Sequence, residues 1–283
     1  MEIAVASGKG GTGKSFVAAN LGYAISQERE TVLVDCDVEE PNLHLFFPGT
    51  PSSVPVTTRL PVIDEDSCTL CGKCASFCRY GALTVTQSGV LFLKDLCHSC
   101  GGCEIVCPTG AISEEESVIG RVDTLRIPPH LTLISGILNV GEIKSPTVIK
   151  AAQAAAAGSP LVIYDAAPGV TCPVVETLIG CDVCILVTEP TPFGLHDLDL
   201  AVQLAGLLGV PSGVVVNRST PGADEALRFC ERHELPVLLE IPFDREIARI
   251  HNRGEILCRS DTAWAETFRD LFHRAEALSE GAL

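Results

Sequence analysis

Positive charge is scarce in this sequence. Its 283 residues include 20 Lys and Arg but 36 Asp and Glu, which gives a formal net charge of −16 at pH 7. A nucleic-acid surface neutralises phosphates with clustered Lys and Arg side chains. The composition therefore argues against a protein that binds DNA or RNA.

Long apolar runs and an export signal are missing as well. No stretch has the roughly 18 consecutive apolar residues of a membrane-spanning helix, and the N-terminus leads into an expected strand without a signal-peptide pattern. The chain nevertheless has 14 cysteines. Without an export signal, so many cysteines indicate metal ligation rather than disulfides. We therefore expect a cytoplasmic protein that does not enter a membrane.

A glycine-rich loop near the start of the chain fits the phosphate-binding pattern G-x-x-x-x-G-K-[ST]. Its residues are Gly8, Lys9, Gly10, Gly11, Thr12, Gly13, Lys14 and Ser15. The apolar patterns on either side predict a buried strand over residues 3–6 and a helix over residues 16–25. Strand, loop and helix make a nest of backbone N–H groups that binds polyphosphate. Lys14 supplies a positive charge and Ser15 a hydroxyl for Mg²⁺, so the sequence predicts a nucleotide site.

Two further predicted strands end in carboxylates. One runs from Thr31 to Asp37 and has Asp35 and Asp37 at its end, and the other runs from Leu161 to Asp165. Open α/β sheets bind ligands at the C-terminal ends of their strands, so these acids are candidate site residues. The alternative is that each acid only caps the turn that follows.

Eight cysteines form two runs with the spacing C-x2-C-x2-C-x3-C. The first run is Cys68, Cys71, Cys74 and Cys78, and the second is Cys97, Cys100, Cys103 and Cys107. In bacterial two-cluster ferredoxins each fourth cysteine ligates the cluster of the other run. We therefore assign one 4Fe–4S cluster to Cys68, Cys71, Cys74 and Cys107, and the other to Cys97, Cys100, Cys103 and Cys78. The alternative, structural zinc, would use paired C-x2-C knuckles.

These patterns divide the chain. Four prolines in a Ser/Thr-rich stretch, at 48, 51, 55 and 61, predict a boundary loop. We expect residues 61–118 to be an inserted small α+β ferredoxin domain, with residues 1–60 and 119–283 forming one discontinuous P-loop ATPase domain. Strands and helices alternate along that second part, which predicts an α/β fold with a mostly parallel, doubly wound sheet. The last helix, residues 262–278, has no basic face and is expected to dock on the core.

Lys9 gives the phosphate-binding loop the sequence G-K-G-G-T-G-K-S, which resembles the deviant Walker A loop of the MinD, ParA and nitrogenase iron protein group of ATPases. The resemblance implies that Lys9 reaches across a dimer interface to the nucleotide of the partner. It also implies that Asp37 positions the attacking water and that Asp35 supports the Mg²⁺ shell. Asp165 opens a segment that resembles Walker B and would hold Mg²⁺ through water. The alternative for Lys9 is an ordinary surface lysine.

Two later segments resemble the base-binding parts of the same family. Asn217 and Arg218 stand where the family's asparagine reads adenine, and Pro242, Phe243 and Asp244 resemble the loop that closes over the base. The resemblance implies that these residues bind adenine. The alternative is that they are plain turn residues.

Cys172 lies seven residues after Asp165. In the similar nitrogenase iron protein a cysteine at this offset ligates a 4Fe–4S cluster shared across the dimer axis. The resemblance thus implies a metal or cluster contact at that axis. No cysteine occupies residues 108–171, however, so the second ligand of that protein has no counterpart here. The alternative for Cys172 is a buried structural cysteine.

The two motifs together resemble MinD-superfamily ATPases that carry an inserted ferredoxin domain. This implies an ATP-hydrolysing iron–sulfur protein with ATP, Mg²⁺ and two 4Fe–4S clusters, which acts as an ATP-dependent homodimer or related heterodimer. Its expected work is the assembly or insertion of a metal cluster or cofactor in a client protein. One alternative is an ATP-gated electron donor to a redox partner. Another is a MinD- or ParA-like positioning ATPase, which the lack of basic surface disfavours.

Overall fold

The computed structural model of the chain describes residues 1–220, 222 and 224–281. The strands, in chain order, are β1 (Glu2–Ala6), β2 (Thr31–Asp35), β3 (Ser52–Ile63), β4 (Leu83–Thr86), β5 (Gly89–Phe92), β6 (Ile112–Ile127), β7 (Leu131–Leu138), β8 (Val162–Asp165), β9 (Val183–Thr188), β10 (Ser212–Ser219) and β11 (Val237–Pro242). The helices are α1 (Lys14–Ser26), α2 (Lys73–Phe77), α3 (Gly102–Ile105), α4 (Ser145–Ala156), α5 (Cys172–Leu178), α6 (Pro192–Leu207), α7 (Glu225–Arg232), α8 (Arg245–Asn252), α9 (Leu257–Ser260) and α10 (Thr262–Ser279).

Among these residues the large sheet has nine strands in the order β11-β10-β9-β1-β8-β2-β7-β6-β3. The strands from β11 to β7 are all parallel to their neighbours. β6 then pairs antiparallel with β7, and β3 pairs antiparallel with β6. The predicted α/β fold with a mostly parallel sheet is therefore confirmed.

Helices cover both faces of this sheet, and the side chains of β1 show the two layers directly. Ile3 and Val5 pack in a core with α1 and α10, whereas Ala4 and Ala6 pack in a second core with α4 and α6. This alternation follows from the two-residue period of a strand, and it explains why β1 is apolar on both faces. On the apolar face of α10, Phe268, Leu271, Phe272 and Ala275 are buried, whereas Trp264 and Leu278 at its ends are partly buried. The helix thus docks on the core, as its sequence predicts.

No helix in the described part of the chain is both long enough and apolar enough to cross a membrane.

The predicted boundary loop is wrong over residues 52–61, because these residues belong to β3. Pro55 and Pro61 lie within this strand. Proline cannot donate to a hydrogen-bonded ladder, but an edge strand has one side without a neighbour. β3 is the last strand of the sheet, which is why it accommodates both prolines.

The segment between β3 and β6 consists of two similar halves, 29 residues apart. The glycines before α2 and α3, Gly72 and Gly101, have φ of 75° and 71°. Leu70 and Ser99 occupy the left-handed region as well, with φ of 55° and 51°. β4 and β5 form a separate two-stranded sheet. Cys74 belongs to a small buried apolar cluster in the same segment. The assignment of residues 61–118 to a separate domain stays a prediction.

Candidate functional site

The phosphate-binding loop joins β1 to α1 and is tightly packed. Gly13, the N-cap of α1, has φ 93°, and Gly11 has φ 82°, a region that residues with a Cβ disfavour. Gly8 is required for a different reason, because a Cβ at this position would lie 2.0 Å from the backbone oxygen of Asp197 in α6. The glycines thus allow α6 to approach the loop and leave the N-terminal end of α1 open to an anion.

A buried ion pair joins the loop to the end of β8. Nζ of Lys14 lies 2.5 Å from Oδ1 of Asp165, and the two side chains are 7% and 1% exposed. The other carboxylate oxygen of Asp165 and the hydroxyl of Thr12 are buried and have no hydrogen-bond partner among the described residues. Buried polar atoms without partners cost free energy unless a ligand satisfies them. With the Ser15 hydroxyl next to Lys14, these oxygens suit Mg²⁺ and a nucleotide phosphate.

Asp35 shapes the turn that follows β2. Its carboxylate is fully buried and accepts backbone N–H bonds from Asp37 at 3.2 Å, from Asn42 at 2.9 Å and from Leu43 at 2.9 Å. Burial and the nearby charge of Asp165 raise the pKa of Asp35 to about 7. In this structure the carboxylate anchors the turn, and its predicted support of the Mg²⁺ shell stays a prediction.

Asp37 lies on the wall of a cavity of about 550 Å³ beside the loop. Residues 9–16 line the same cavity, together with Glu40, Phe46 and Arg253. Burial raises the pKa of Asp37 to about 6. The carboxylate is therefore mostly ionised at neutral pH and can accept a hydrogen bond from water.

Glu189, directly after β9, holds two of the predicted site residues. Its carboxylate lies 3.8 Å from Nζ of Lys9 and forms an ion pair with Arg218. The Glu189 side chain is 15% exposed. The sequence analysis missed this residue, although an acid after a buried strand is the signal that identified Asp35 and Asp165. In a single chain Lys9 is thus held by its own subunit, and its contact across an interface stays a prediction.

The predicted base-binding residues do not line the cavity beside the loop. The Asn217 amide donates to the backbone oxygen of Thr12 at 2.7 Å, so it holds the phosphate-binding loop against the end of β10. Asp244 caps α8 by accepting a bond from the backbone N–H of Glu246 at 2.6 Å, and Pro242 ends β11. Each residue has a structural role here, and binding of the base stays a prediction.

His251, at the end of α8, is a cavity residue that the sequence analysis missed. Its ring lies between Phe16 and Phe46, with centroids 5.5 Å from each. Nδ1 is buried and has no hydrogen-bond partner within the described residues. Burial, with a smaller effect of the Arg218 charge, lowers the pKa of His251 and so favours the neutral ring. Only the tertiary packing brings these three rings together, and no local motif indicated it.

The eight cysteines of the two runs line two cavities, each with three cysteines from one run and the last from the other. The larger cavity, about 490 Å³, is lined by Cys97, Cys100, Cys103 and Cys78. The smaller, about 20 Å³, is lined by Cys68, Cys71, Cys74 and Cys107. These are the two sets that the spacing assigned to two clusters.

The donor set of each cavity is that of a 4Fe–4S cluster, which four thiolates hold. In the described residues no group of three or more His, Cys, Asp or Glu side chains is arranged to hold a single metal ion. A cluster spreads its thiolates over four irons, so its ligands stand farther apart than those of one ion. Apolar side chains, including Phe77 and Phe92, line part of the larger cavity, together with Arg79, His98 and Glu114. The number and type of the side chains match the ligand set of such a cluster, and binding of a cluster stays a prediction. The smaller cavity, about 20 Å³, would have to widen to admit one.

Cys172 is exposed at the first residue of α5. It is therefore not a buried structural cysteine. Because the structure describes one chain, the metal contact at a dimer axis stays a prediction.

Comparisons with known proteins agree with the fold. The family model for the CobQ/CobB/MinD/ParA nucleotide binding domain matches residues 3–257. Two uncharacterized proteins of Methanocaldococcus jannaschii are similar throughout. One is 30% identical over 281 residues, with 97% of this chain and 96% of its own length covered. The other is 32% identical over 263 residues, with 90% of each covered.

A solved structure gives the same architecture. The septum site-determining protein MinD of Pyrococcus horikoshii, complexed with Mg-ADP, matches with a TM-score of 0.57 and 18% identity, over 100% of this chain and 98% of that one. At this identity the likeness concerns the fold alone.

Proposed function

Because this chain belongs to the CobQ/CobB/MinD/ParA nucleotide-binding family, we propose that it binds ATP with Mg²⁺ and hydrolyses it. The buried pair of Lys14 and Asp165 at the N-terminal end of α1 is the observation that carries this proposal. A lysine and a carboxylate buried together beside a nest of N–H groups supply the charges that a phosphate and its metal ion need.

Hydrolysis would depend on positioning and charge neutralisation. The loop N–H groups and Lys14 would face the phosphates, which draws Lys14 away from Asp165. The carboxylate of Asp165 and the hydroxyl of Ser15 would then hold Mg²⁺, which supplies positive charge against the phosphate oxygens. Asp37, on the cavity wall, would orient the attacking water.

Dimerisation would complete the site. Lys9 would leave Glu189 and reach the phosphates of the partner's nucleotide, so that closure depends on ATP. The partner is a second copy of this chain or a related chain. The exposed Cys172 follows the Asp165 segment, and both copies would approach the dimer axis and contact a metal or cluster there.

Residues 61–118 would hold two 4Fe–4S clusters in the two cysteine cavities. Cys68, Cys71, Cys74 and Cys107 would bind one, and Cys97, Cys100, Cys103 and Cys78 the other. The crossed lining of the cavities and the repeated backbone conformation 29 residues apart support this assignment. Bound clusters supply one-electron transfer.

The function of this ATP cycle would be the assembly or insertion of a metal cluster or cofactor in a client protein. The exposed thiol of Cys172 favours this output, because an accessible thiolate can carry a metal or cluster in transit. The second candidate, an ATP-gated electron donor, is favoured by two polar contacts between residues 94–99 and the residues that follow β7, Lys144 to Ser99 and Glu142 to Lys94. A positioning ATPase also fits the fold, but it gives the eight cysteines no role.

ATP turnover by the full-length, anaerobically prepared protein tests the proposal, with Lys14→Met as the inactive control. We expect hydrolysis in the wild type and its loss in the variant. Equal rates in both proteins would contradict the assigned site. Measurements on a client protein that is isolated together with this protein distinguish the two candidate functions. A metal content that depends on hydrolysis favours assembly, whereas reduction of the client in step with hydrolysis favours electron donation.

A further inference from the structure

The residues that join β7 to α4 contact the turn that carries Asp37. We call residues 139–145 the connecting segment. Immediately before it, the N–H of Leu138 donates to the oxygen of Val38 at 2.8 Å. At its end, the hydroxyl of Ser145 donates to Oε1 of Glu39 at 2.6 Å, and Ser145 is 3% exposed. In the sequence Glu39 lies between two residues that line the nucleotide cavity, Asp37 and Glu40. A movement of that cavity wall would therefore move the partner of the Ser145 hydroxyl.

The same segment contacts the second cysteine run. Nζ of Lys144 donates to the hydroxyl of Ser99 at 2.9 Å, and Glu142 forms an ion pair with Lys94. Ser99 is held in the left-handed region with φ 51°, and its N–H donates to Sγ of Cys97 at 3.4 Å. A shift of Ser99 therefore moves the loop that shapes the larger cysteine cavity.

The two ends of this path are joined by a single peptide bond, because Lys144 and Ser145 are consecutive. Both contacts involve a charged partner, the Lys144 ammonium at one end and the Glu39 carboxylate at the other, and charge-assisted hydrogen bonds are the stronger kind. Chains of hydrogen bonds and ion pairs of this sort carry energetic coupling between sites. The contacts run from the wall of the nucleotide cavity to a cysteine run without a gap.

We propose that Lys144 and Ser145 are positioning residues that couple the nucleotide at the Asp37 turn to the second cysteine run. The inference rests on the proposed function, since it needs both a bound nucleotide and an iron–sulfur cluster. Movement of the Asp37 turn on ATP binding passes through Glu39 to Ser145, and through Lys144 to Ser99. Coupling free energies are reciprocal. Reduction of the cluster therefore changes the affinity for ATP by the same factor by which bound ATP changes the equilibrium constant for reduction of the cluster.

The test uses full-length protein reconstituted with iron and sulfide, in its oxidised and its dithionite-reduced form. The dissociation constant of AMP-PNP is measured in each form, and amide hydrogen exchange of residues 94–101 is measured with and without AMP-PNP. In the wild type we expect the two dissociation constants to differ about fivefold or more. We also expect AMP-PNP to change the exchange of residues 94–101.

Three variants locate the coupling. Lys144→Met and Ser145→Ala should each bring the ratio of the two dissociation constants close to one while iron content stays at the wild-type level. Lys144→Arg should restore part of the ratio. Lys150→Met is the matched control, because it removes an α4 lysine that pairs with Glu176 at 3.3 Å, away from both sites. This control should keep the wild-type ratio and exchange pattern.

The outcomes separate this inference from the function on which it rests. A wild-type protein that binds AMP-PNP and iron but shows equal affinities in both redox forms would overturn the coupling alone. A Lys144→Met variant that keeps the wild-type ratio would overturn it too. A wild-type protein that binds no nucleotide or no iron would overturn the proposed function, and the coupling with it.

Discussion

Replacing Lys14 with Met should destabilise the protein as well as abolish tight nucleotide binding. Lys14 and Asp165 lie 2.5 Å apart, with side chains 7% and 1% exposed. The variant leaves the Asp165 carboxylate buried without a cation and close to the buried Asp35. Removing one partner of a buried ion pair costs about 3–5 kcal/mol. The structure thus predicts a loss of stability of that size before any nucleotide is added.

Urea unfolding followed by tryptophan fluorescence measures this loss. The single tryptophan of the sequence, Trp264, packs against Phe268 with ring centroids 6.3 Å apart, so its emission reports on the docking of α10. For a slope of about 3 kcal/mol per M urea, the midpoint should fall by roughly 1–2 M. The double variant Lys14→Met/Asp165→Asn removes both charges and should regain most of the stability, although not the nucleotide binding.

A surface ion pair provides the control for this experiment. Lys150 is 66% exposed in its pair with Glu176, so Lys150→Met should move the midpoint by less than about 0.3 M. An unchanged midpoint for Lys14→Met would contradict a stabilising buried ion pair between Lys14 and Asp165. So would a double variant no more stable than the single one.

Four further predictions concern the reaction cycle. Lys9→Ala should bind ATP normally but lose hydrolysis and ATP-dependent dimerisation, whereas Asp37→Ala should trap a closed ATP-bound dimer. Gel filtration with ATP measures the oligomeric state of both variants. A monomeric Lys9→Ala variant that hydrolyses ATP at the wild-type rate would exclude the role of Lys9 at the interface. Glu189→Gln frees Lys9, so the ATP-bound dimer should tighten about 1.5- to 5-fold, as a partly exposed ion pair allows; weaker dimerisation would contradict this. The ionised form of Asp37 is the active one and its pKa is raised to about 6, so kcat/KM for ATP should rise with pH through about 6, and a flat profile from pH 5 to 7 would argue against Asp37.

Local patterns predicted the strands and the loop of the ATPase well. The strand predicted over residues 3–6 is β1, Glu2–Ala6, because a buried apolar run directly before a glycine-rich loop leaves little choice. Glycines that tolerate positive φ, such as Gly13, stand where the loop needs them. The crossed sets of cysteines were expected from the ligation pattern of two-cluster ferredoxins, and the structure places the same two sets of four around one cavity each.

Features that depend on tertiary contacts escaped prediction. Pro55 in a Ser/Thr-rich stretch indicates a loop, and only its place on the edge strand β3 allows the extended structure. The ion pairs of Glu189 join residues that are far apart in sequence, and so does the packing of His251 between two phenylalanines. The sequence suggested that Asn217 binds a base, whereas in the structure its amide donates a hydrogen bond to the backbone of the phosphate-binding loop.

Iron analysis of the full-length protein after anaerobic reconstitution tests most directly whether this chain carries two clusters. We expect about eight irons per chain, because each cysteine cavity supplies four thiolates for one 4Fe–4S cluster. Cys78→Ser should lower the iron content toward about four and leave the set of Cys68, Cys71, Cys74 and Cys107 loaded. Four or fewer irons in the fully reconstituted wild-type protein would contradict the account.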